Sequence, residues 1–170
     1  LMLERKFAES LEKFLLHEPR KILLVNGARQ IGKSYLIRYV GKKLFKHFVE
    51  INLKADQEGD GIFKTVRSKE DFYLQLGAMS GNNLGSKDDT LVFLDEIQTY
   101  PVLLTLLKFL VKDNRFTYIA SGSLLGVTLS ETPSIPMGSI KKVRMFPLDF
   151  EEFLYANGMN NLVISSIKSK

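Results

Sequence analysis

The sequence contains no cysteine and only two histidines among its 170 residues. Without cysteine there are no disulfides, no thiolate metal sites and no cysteine nucleophiles. With His17 and His47 as the only imidazoles, a catalytic metal site rich in histidine is not expected. Acidic residues are slightly outnumbered, 19 against 24 basic ones, and the basic residues are scattered. This charge pattern favours an ordinary solvated surface over a dedicated nucleic-acid-binding face.

The sequence also lacks apolar runs of membrane-spanning length. The longest near the middle of the chain, VLLTLLKFLV, is interrupted by Lys108 and is too short to cross a bilayer. The N-terminal LMLERKFAES carries charges where a secretory signal would need its apolar core. The sequence therefore predicts a cytoplasmic protein with no membrane partner. Its length and its 45% of hydrophobic residues fit one globular domain.

Short apolar runs alternate with amphipathic segments along the chain. Strands are predicted over residues 21–25, 47–53, 90–96, 116–121 and 141–146. Helices are predicted over residues 3–16, 33–44, 68–79 and 101–111, and loops over 54–68 (with room for a short helix), 81–89 and 122–138. This alternation indicates βαβ units with right-handed crossovers, and hence a parallel sheet.

Local signals mark where several helices begin or end. Pro19 ends the first helix, and Pro101 suits the first turn of the helix that it opens. Ser68 and Asp71 have the spacing of a capping box. The pair Asp149 and Glu152 gives a similar signal for a last helix.

The segment GARQIGKS, residues 27–34, follows an apolar strand and precedes a helix. It fits the pattern G-x-x-x-x-G-K-[ST], in which glycines let backbone N–H groups approach phosphate oxygens. Those amides and the start of the following helix form an anion site. We expect Lys33 to reach the β- and γ-phosphates and the Ser34 hydroxyl to coordinate Mg²⁺. The predicted nucleotide-binding residues are Gly27, Ala28, Arg29, Gln30, Ile31, Gly32, Lys33, Ser34 and Tyr35.

An acidic pair, Asp95 and Glu96, ends the third predicted strand in LVFLDE. Parallel sheets bind ligands at the carboxyl ends of their strands, so this pair and GARQIGKS are expected to share one crevice. Asp95 is predicted to hold hydrated Mg²⁺, and Glu96 to act as general base toward the attacking water. Because the strand over 47–53 lies between the two motifs in sequence, the acidic strand need not neighbour the phosphate-loop strand.

The fourth predicted strand ends in Ser121-Gly122-Ser123. A small polar side chain at this place could orient the lytic water or contact the γ-phosphate as a sensor. Ser121 and Ser123 are both candidates, and the sequence does not separate them. A hydrogen-bonded Ser/Gly turn without a catalytic role is the alternative interpretation.

Taken in order, the motifs resemble those of the AAA-type P-loop ATPases of prokaryotes. The motifs are GARQIGKS, VFLDEIQ before a proline-started helix, ASGSLLG and FPLDFEEFL. The resemblance implies an AAA+-like α/β P-loop NTPase fold of three layers, with a five-stranded parallel sheet flanked by helices. It also implies ATP and Mg²⁺ as ligands, with Asp95 and Glu96 as the acidic pair.

In that group the ATPase module precedes a C-terminal domain of unknown function, often suspected to be nuclease-like. We therefore expect residues 1–156 to form the ATP-binding core and residues 157–170 to begin a truncated lid or linker. An arginine frequently sits before the fifth strand of such ATPases, but SIPMGSIKKVR has Ser139 there, with Lys141, Lys142 and Arg144 nearby. A homo-oligomer or the missing domain would have to supply that arginine, and nucleic acid could be contacted only through the absent domain.

Three functions fit a phosphate loop of this kind. Glu96 favours an ATPase that couples hydrolysis to conformational change, because a base beside the metal aspartate serves hydrolysis. The missing arginine favours a nucleotide-gated regulatory module with little intrinsic hydrolysis. A small-molecule kinase fits less well, since residues 126–139 are poor in the basic residues of a lid. Guanine specificity is not expected, because the chain has no Asn-Lys-x-Asp motif.

Overall fold

The computed structural model describes residues 2–17, 22–26, 33–81, 83–122 and 140–144. The helices in these segments are α1 (Met2–His17), α2 (Lys33–Leu44), α3 (Leu53–Glu58), α4 (Lys69–Ser80) and α5 (Pro101–Asp113). The strands are β1 (Ile22–Asn26), β2 (His47–Asn52), β3 (Thr90–Asp95), β4 (Thr117–Gly122) and β5 (Ile140–Arg144). Short 3-10 turns, Ile62–Thr65 and Ile97–Thr99, precede α4 and α5. None of the helices described is long and apolar enough to cross a bilayer.

The five strands run parallel in the order β2-β3-β4-β1-β5, which confirms the predicted sheet. Strand β4 lies between β3 and β1, so the acidic strand does not neighbour the strand that leads into GARQIGKS. In the register of the sheet, Asp95 lies opposite Ser121, and Gly122 lies opposite Asn26. The carboxyl ends of β3, β4 and β1 therefore meet at one edge, where parallel sheets bind their ligands.

Alternation along the strands divides the buried side chains between two faces of the sheet. Helices α1 and α2 cover one face, and its buried residues, the α2-side core, are Leu11, Phe14, Leu15, Leu23, Val25, Leu36, Ile37, Val40, Leu91, Phe93 and Ile119. Helices α3, α4 and α5 cover the other face. Its α5-side core is larger among the described residues and includes Ile51, Leu53, Phe63, Phe72, Leu76, Val92, Leu94, Leu103, Leu107, Leu110, Tyr118 and Ala120. Helices on both faces make the three layers that the alternation of elements predicts.

Helix α2 packs closely on the sheet at Gly41. A Cβ at this position would lie 2.5 Å from Phe48 Cε2 and 2.9 Å from Leu91 Cδ2. A larger residue here would require the side chains of Phe48 and Leu91 to move, so glycine suits this close packing.

Two strands end earlier than predicted, each for a local reason. Strand β2 stops at Asn52 because the side chain of Asn52 accepts a hydrogen bond from the backbone N–H of Ala55 at 3.0 Å and caps α3. Helix α3 is thus the short helix for which the loop over 54–68 had room. Strand β3 stops at Asp95 because Glu96 adopts the left-handed backbone conformation, with φ 57° and ψ 47°.

The predicted helix starts are confirmed at α4 and α5. Ser68 and Asp71 form a complete capping box, in which each side chain accepts a hydrogen bond from the other residue's backbone N–H. Pro101 is the first residue of α5. These two helices cover the α5-side core, so their starts are fixed by local chemistry as well as by burial.

Other predictions fall on residues outside those described. They concern residues 27–32 of the phosphate loop, Ser123, most of the irregular segment over 122–138, the ends of the predicted fifth strand at 145–146, and the cap at Asp149 and Glu152. They remain predictions.

Candidate functional site

Asp95 is the centre of a hydrogen-bond cluster at the carboxyl edge of the sheet. Its side chain is 7% exposed. Oδ1 accepts hydrogen bonds from Ser121 Oγ at 2.7 Å and from the backbone N–H of Glu96 at 2.9 Å, and Oδ2 accepts one from Ser34 Oγ at 3.1 Å. Buried carboxylates need such donors, because an unpaired charge away from water is costly. The cluster therefore fixes the direction of both carboxylate oxygens.

Ser34 belongs to the first turn of α2, directly after Lys33 at its start. Its hydroxyl reaches Asp95 across 61 positions of sequence, which brings the end of the phosphate-loop motif against the acidic motif. Ser34, the last residue of GARQIGKS, therefore lies beside the acidic motif at the carboxyl edge of the sheet. That the rest of the two motifs share one crevice stays a prediction. Of the Lys33 side chain and of residues 27–32 the structure describes nothing.

Ser121 is fully buried, and its hydroxyl donates to Asp95 from the neighbouring strand. Alternation along β4 points residues 119 and 121 toward the α2-side core, the face that also carries Asp95 and Ser34. In this structure the Ser121 hydroxyl therefore holds the predicted metal ligand. The sensor role of Ser121 or Ser123 stays a prediction.

Glu96 follows Asp95 but is held differently. Its left-handed backbone turns the chain off the strand, and its carbonyl accepts the first bond of the 3-10 turn, from Thr99 N–H at 3.0 Å. Non-glycine residues in this conformation are uncommon and concentrate at functional sites. Glu96 as a whole is 8% exposed, and its carboxylate oxygen Oε2 accepts a hydrogen bond from Gln98 Nε2 at 2.6 Å. Glu96, the predicted base, thus lies beside Asp95, the predicted metal ligand, but its carboxylate has a different hydrogen-bond donor.

A charged pair ties α2 to the edge strand beside this cluster. Arg38 Nε and Nη2 donate to Glu50 Oε1 and Oε2, each at 2.8 Å. This two-pronged geometry is the strong form of an arginine–carboxylate contact. The hydrogen bond to Glu50 raises the pKa of Arg38, and the charge of Asp95 contributes a smaller increase. The pair is neutral overall, and it fastens α2 to β2 on the face of the sheet that carries Asp95.

The oxygen ligands in the cluster suit Mg²⁺. Hydroxyl and carboxylate oxygens are the donors that this hard cation prefers. Among the described residues no group of three or more histidines, aspartates and glutamates could hold a metal alone. Mg²⁺ bound with a nucleotide needs only one or two protein ligands and takes the rest from phosphates and water. Ser34 and Asp95 fit the protein's share of such a site.

Two residues at this edge, Gln98 and Gly122, are not among the site residues predicted from the sequence. Gln98 stands in the motif VFLDEIQ, two positions after Glu96, and a polar residue so near an acidic pair was the available signal. Gly122 stands between the two sensor candidates, where the sequence indicates only a turn. The predicted Tyr35 lies on α2 with half of its surface exposed.

Comparisons with known proteins bear on the family and the fold of this chain. A model of the AAA domain family matches residues 19–154. No protein of curated function matches the sequence. The fold is similar to the solved structure of the Aeropyrum pernix ORC1 protein in complex with DNA, with a TM-score of 0.55 and 16% identity over 91% of this chain and 48% of that one. It is also similar to C. elegans PCH-2, with a TM-score of 0.43 and 14% identity over 94% of this chain and 47% of that one.

The ORC1 likeness, at 16% identity, shows the fold alone. The chain spans about half the length of these two solved chains, at 48% and 47%. The family match covers most of the chain and includes the phosphate-loop motif, the acidic pair and the end of β4.

Proposed function

This chain belongs to the AAA domain family and is an AAA-type P-loop ATPase module, as its order of motifs predicted; from that membership we propose that it binds ATP with Mg²⁺ and hydrolyses it to ADP and phosphate. The hydrolysis would be coupled to a conformational change. Support comes from one observation above all, the cluster in which Ser34 and Ser121 both donate to Asp95 while Glu96 lies next to it. Each residue comes from a different segment, and the fold brings all of them to one edge.

We assign the residues of the cluster separate roles. Ser34 and Asp95 would hold Mg²⁺, which would supply positive charge to offset the negative charge of the phosphate groups during hydrolysis. Lys33 and the backbone of residues 27–32 would bind the β- and γ-phosphates. Ser121 orients Asp95 through its hydrogen bond, and Ser123 is kept as a candidate contact to the γ-phosphate.

Glu96 would act on the attacking water. As the water oxygen forms its bond to the γ-phosphorus, the bond from that phosphorus to the β–γ bridging oxygen breaks and leaves ADP. The proton of the water passes to the Glu96 carboxylate. A general base of this kind contributes about 10²–10⁴-fold in rate.

A second candidate, a nucleotide-gated regulatory module with little hydrolysis of its own, is favoured by one feature of the sequence. Ser139 stands where such ATPases frequently place an arginine before the fifth strand. An arginine of that kind is worth roughly 10³–10⁵ in rate where it acts on the transferred phosphate. A homo-oligomer or a further domain would then have to provide it.

Residues 1–156 are proposed as the ATP-binding core, with residues 157–170 as the start of a lid or linker; the family match, which ends at residue 154, supports this division. The solved ORC1 protein was in complex with DNA. For this chain, contact with nucleic acid is proposed only through a further domain.

The test is Mg²⁺-dependent ATP hydrolysis by the purified chain, with nucleotide binding measured by calorimetry on the same samples. Lys33→Ala is expected to lose ATP binding, and Glu96→Gln to bind ATP while losing at least about 100-fold in hydrolysis. A wild-type chain that binds ATP without turnover would select the regulatory module. A chain that binds no ATP, while remaining folded by circular dichroism, would contradict both candidates.

A further inference from the structure

Gln98 lies between the predicted base and the end of β4. We propose that Gln98 is a positioning residue, which holds the carboxylate of Glu96 by a hydrogen bond, and that position 122 is glycine to leave room for this side chain. The consequence for hydrolysis rests on the proposed role of Glu96. The contacts themselves do not.

The orientation of the Gln98 amide follows from its partner. A carboxylate can only accept hydrogen bonds, so the amide nitrogen must face Glu96, and it does so at 2.6 Å. The amide oxygen, Oε1, must then point the other way, toward Gly122. In that place Oε1 is buried and has no hydrogen-bond partner among the residues described. A buried acceptor without a partner is costly, so the bond to Glu96 is made at the expense of the other end of the amide.

Gly122 is the reason that the amide fits. A Cβ at this position would overlap Gln98 Oε1 and would lie 3.2 Å from Gln98 Cδ. The next atom, Ile97 Cγ2, would be at an ordinary distance of 3.6 Å. Gly122 belongs to strand β4 and is not in the left-handed region, so its backbone does not itself require glycine. Glycine weakens a strand and often marks a close approach, which here is the approach of Gln98.

The arrangement connects the base to strand β4. Residues 120 and 122 of β4 face the α5-side core, whereas Ser121 faces Asp95. One short stretch of β4 therefore supports both acids. It contacts Asp95 directly through the Ser121 hydroxyl, and it supports Glu96 indirectly, because Gly122 lies against Gln98. A displacement of this strand end would move the supports of both acidic residues together.

The first test separates binding from hydrolysis. Gln98→Ala, Gln98→Met and Gly122→Ala are compared with wild type for ATP affinity and for kcat. Methionine keeps the volume of glutamine and loses the donor. All three variants are expected to lose about tenfold or more in kcat, because a misplaced catalytic group is slow, while ATP affinity stays within about twofold. Gln57→Ala, at an exposed glutamine of α3, is the matched control and is expected to leave both unchanged.

A second test does not require hydrolysis. In a double-mutant cycle, Gly122→Ala is expected to lower the urea midpoint of unfolding when Gln98 is present and to have no effect in the Gln98→Ala background. Gly77→Ala in α4, where a Cβ would meet nothing within 4 Å, controls for the change of residue type and is expected not to lower the midpoint. An equal loss in both backgrounds, or a loss in neither, contradicts the proposed contact.

A third measurement tests the bond to Glu96 directly. The side-chain NH₂ resonances of Gln98, identified by their loss in Gln98→Ala, are expected to shift in both Glu96→Ala and Gly122→Ala. If they stay unchanged in Glu96→Ala, the positioning role is wrong whether or not the chain hydrolyses ATP.

If the double-mutant cycle and the resonances behave as expected but wild type does not turn over, the contacts stand and the proposed hydrolysis fails. If wild type turns over and Gln98→Met keeps full kcat, the positioning role fails and the hydrolysis stands.

Discussion

Asp95 and Glu96 are neighbours in the chain, yet the two faces of the sheet support them separately. Asp95 is held on the face covered by α1 and α2, where Ser34 and Ser121 donate to its carboxylate. Glu96 accepts a hydrogen bond from Gln98, whose amide oxygen lies against Gly122 on the face covered by α3, α4 and α5. The left-handed backbone of Glu96 carries this second acid off the strand that ends at Asp95.

One short motif can therefore give its two acidic residues different surroundings. Alternation within a strand would by itself place consecutive side chains on opposite faces. Here the strand also ends at Asp95, so Glu96 is carried by the turn that leads into α5. The larger α5-side core anchors that turn through Ile97 and Tyr100. We therefore expect changes on the α2 face to affect metal binding and changes on the α5 face to affect hydrolysis or stability.

The largest expected effect concerns the two cores. Phe72 is fully buried in the α5-side core, with ring centroids of Phe63 and Tyr118 at 6.0 and 6.3 Å. Phe72→Ala is expected to lower the free energy of unfolding by about 3–5 kcal/mol, because it leaves a cavity. On the other face, Phe48 is only half-buried on the edge strand, against Phe93. Phe48→Ala is expected to cost about 1–2 kcal/mol.

Urea unfolding of both variants, followed by circular dichroism, checks this difference. Equal losses would mean that the α5 face is not the more strongly packed one. Phe109→Ala on the exposed side of α5 serves as a control, since that ring is 44% exposed.

A smaller effect is expected from Ser121. Ser121→Ala removes one of the donors that fix Asp95, and groups that orient a metal ligand are typically worth on the order of tenfold in metal affinity. We expect a loss of that size in Mg²⁺-dependent ATP affinity, measured by calorimetry over a Mg²⁺ titration. Gln98→Ala should leave this affinity unchanged, because it acts on the other acid. Ser80→Ala, the same change at the end of α4, is the control, and an equal loss in Gln98→Ala would contradict separate supports.

The smallest effect concerns Tyr100, which leads into α5 and donates to Asp56 Oδ2 at 2.8 Å. Burial, with a smaller contribution from this hydrogen bond, raises the pKa of Tyr100 to about 12. Because the folded pKa lies above the ordinary value of about 10, this stabilisation is fully present below pH 10 and is lost as pH rises through 12.

Tyr100→Phe should therefore cost about 1 kcal/mol near neutral pH and make unfolding less sensitive to pH between 10 and 12. Burial also raises the pKa of Tyr73 to about 12, so part of the pH sensitivity of unfolding remains in Tyr100→Phe. Urea midpoints at pH 7 and pH 11 test this, beside Tyr39→Phe at an exposed tyrosine of α2. An unchanged pH dependence in Tyr100→Phe would contradict the assignment.

Much of the fold followed from local patterns in the sequence. The apolar runs of β1, β3 and β4, the capping box at Ser68 and the proline at 101 each act through neighbouring residues, so a single sequence contains the signal. The position of β4 between β3 and β1 was left open, because strand order depends on contacts between distant segments. The resemblance to AAA-type ATPases added the P-loop fold class, but it did not give this order.

Within the candidate site, the residue types of the motifs were predictable and their supports were not. Ser34, Asp95 and Glu96 stand at motif positions whose chemistry is known. That Ser121 donates to Asp95, and that Gly122 makes room for Gln98, depends on which face of β4 each residue takes at its last two positions. A shift of one residue in the register of β4 would exchange the faces on which Ser121 and Gly122 lie.

Calorimetric ATP binding with and without Mg²⁺ distinguishes separate roles of Asp95 and Glu96 from a shared one. We predict that Glu96→Gln keeps the full Mg²⁺-dependent gain in ATP affinity, whereas Asp95→Asn loses it. The opposite pattern, or an equal loss in both variants, would contradict the claim.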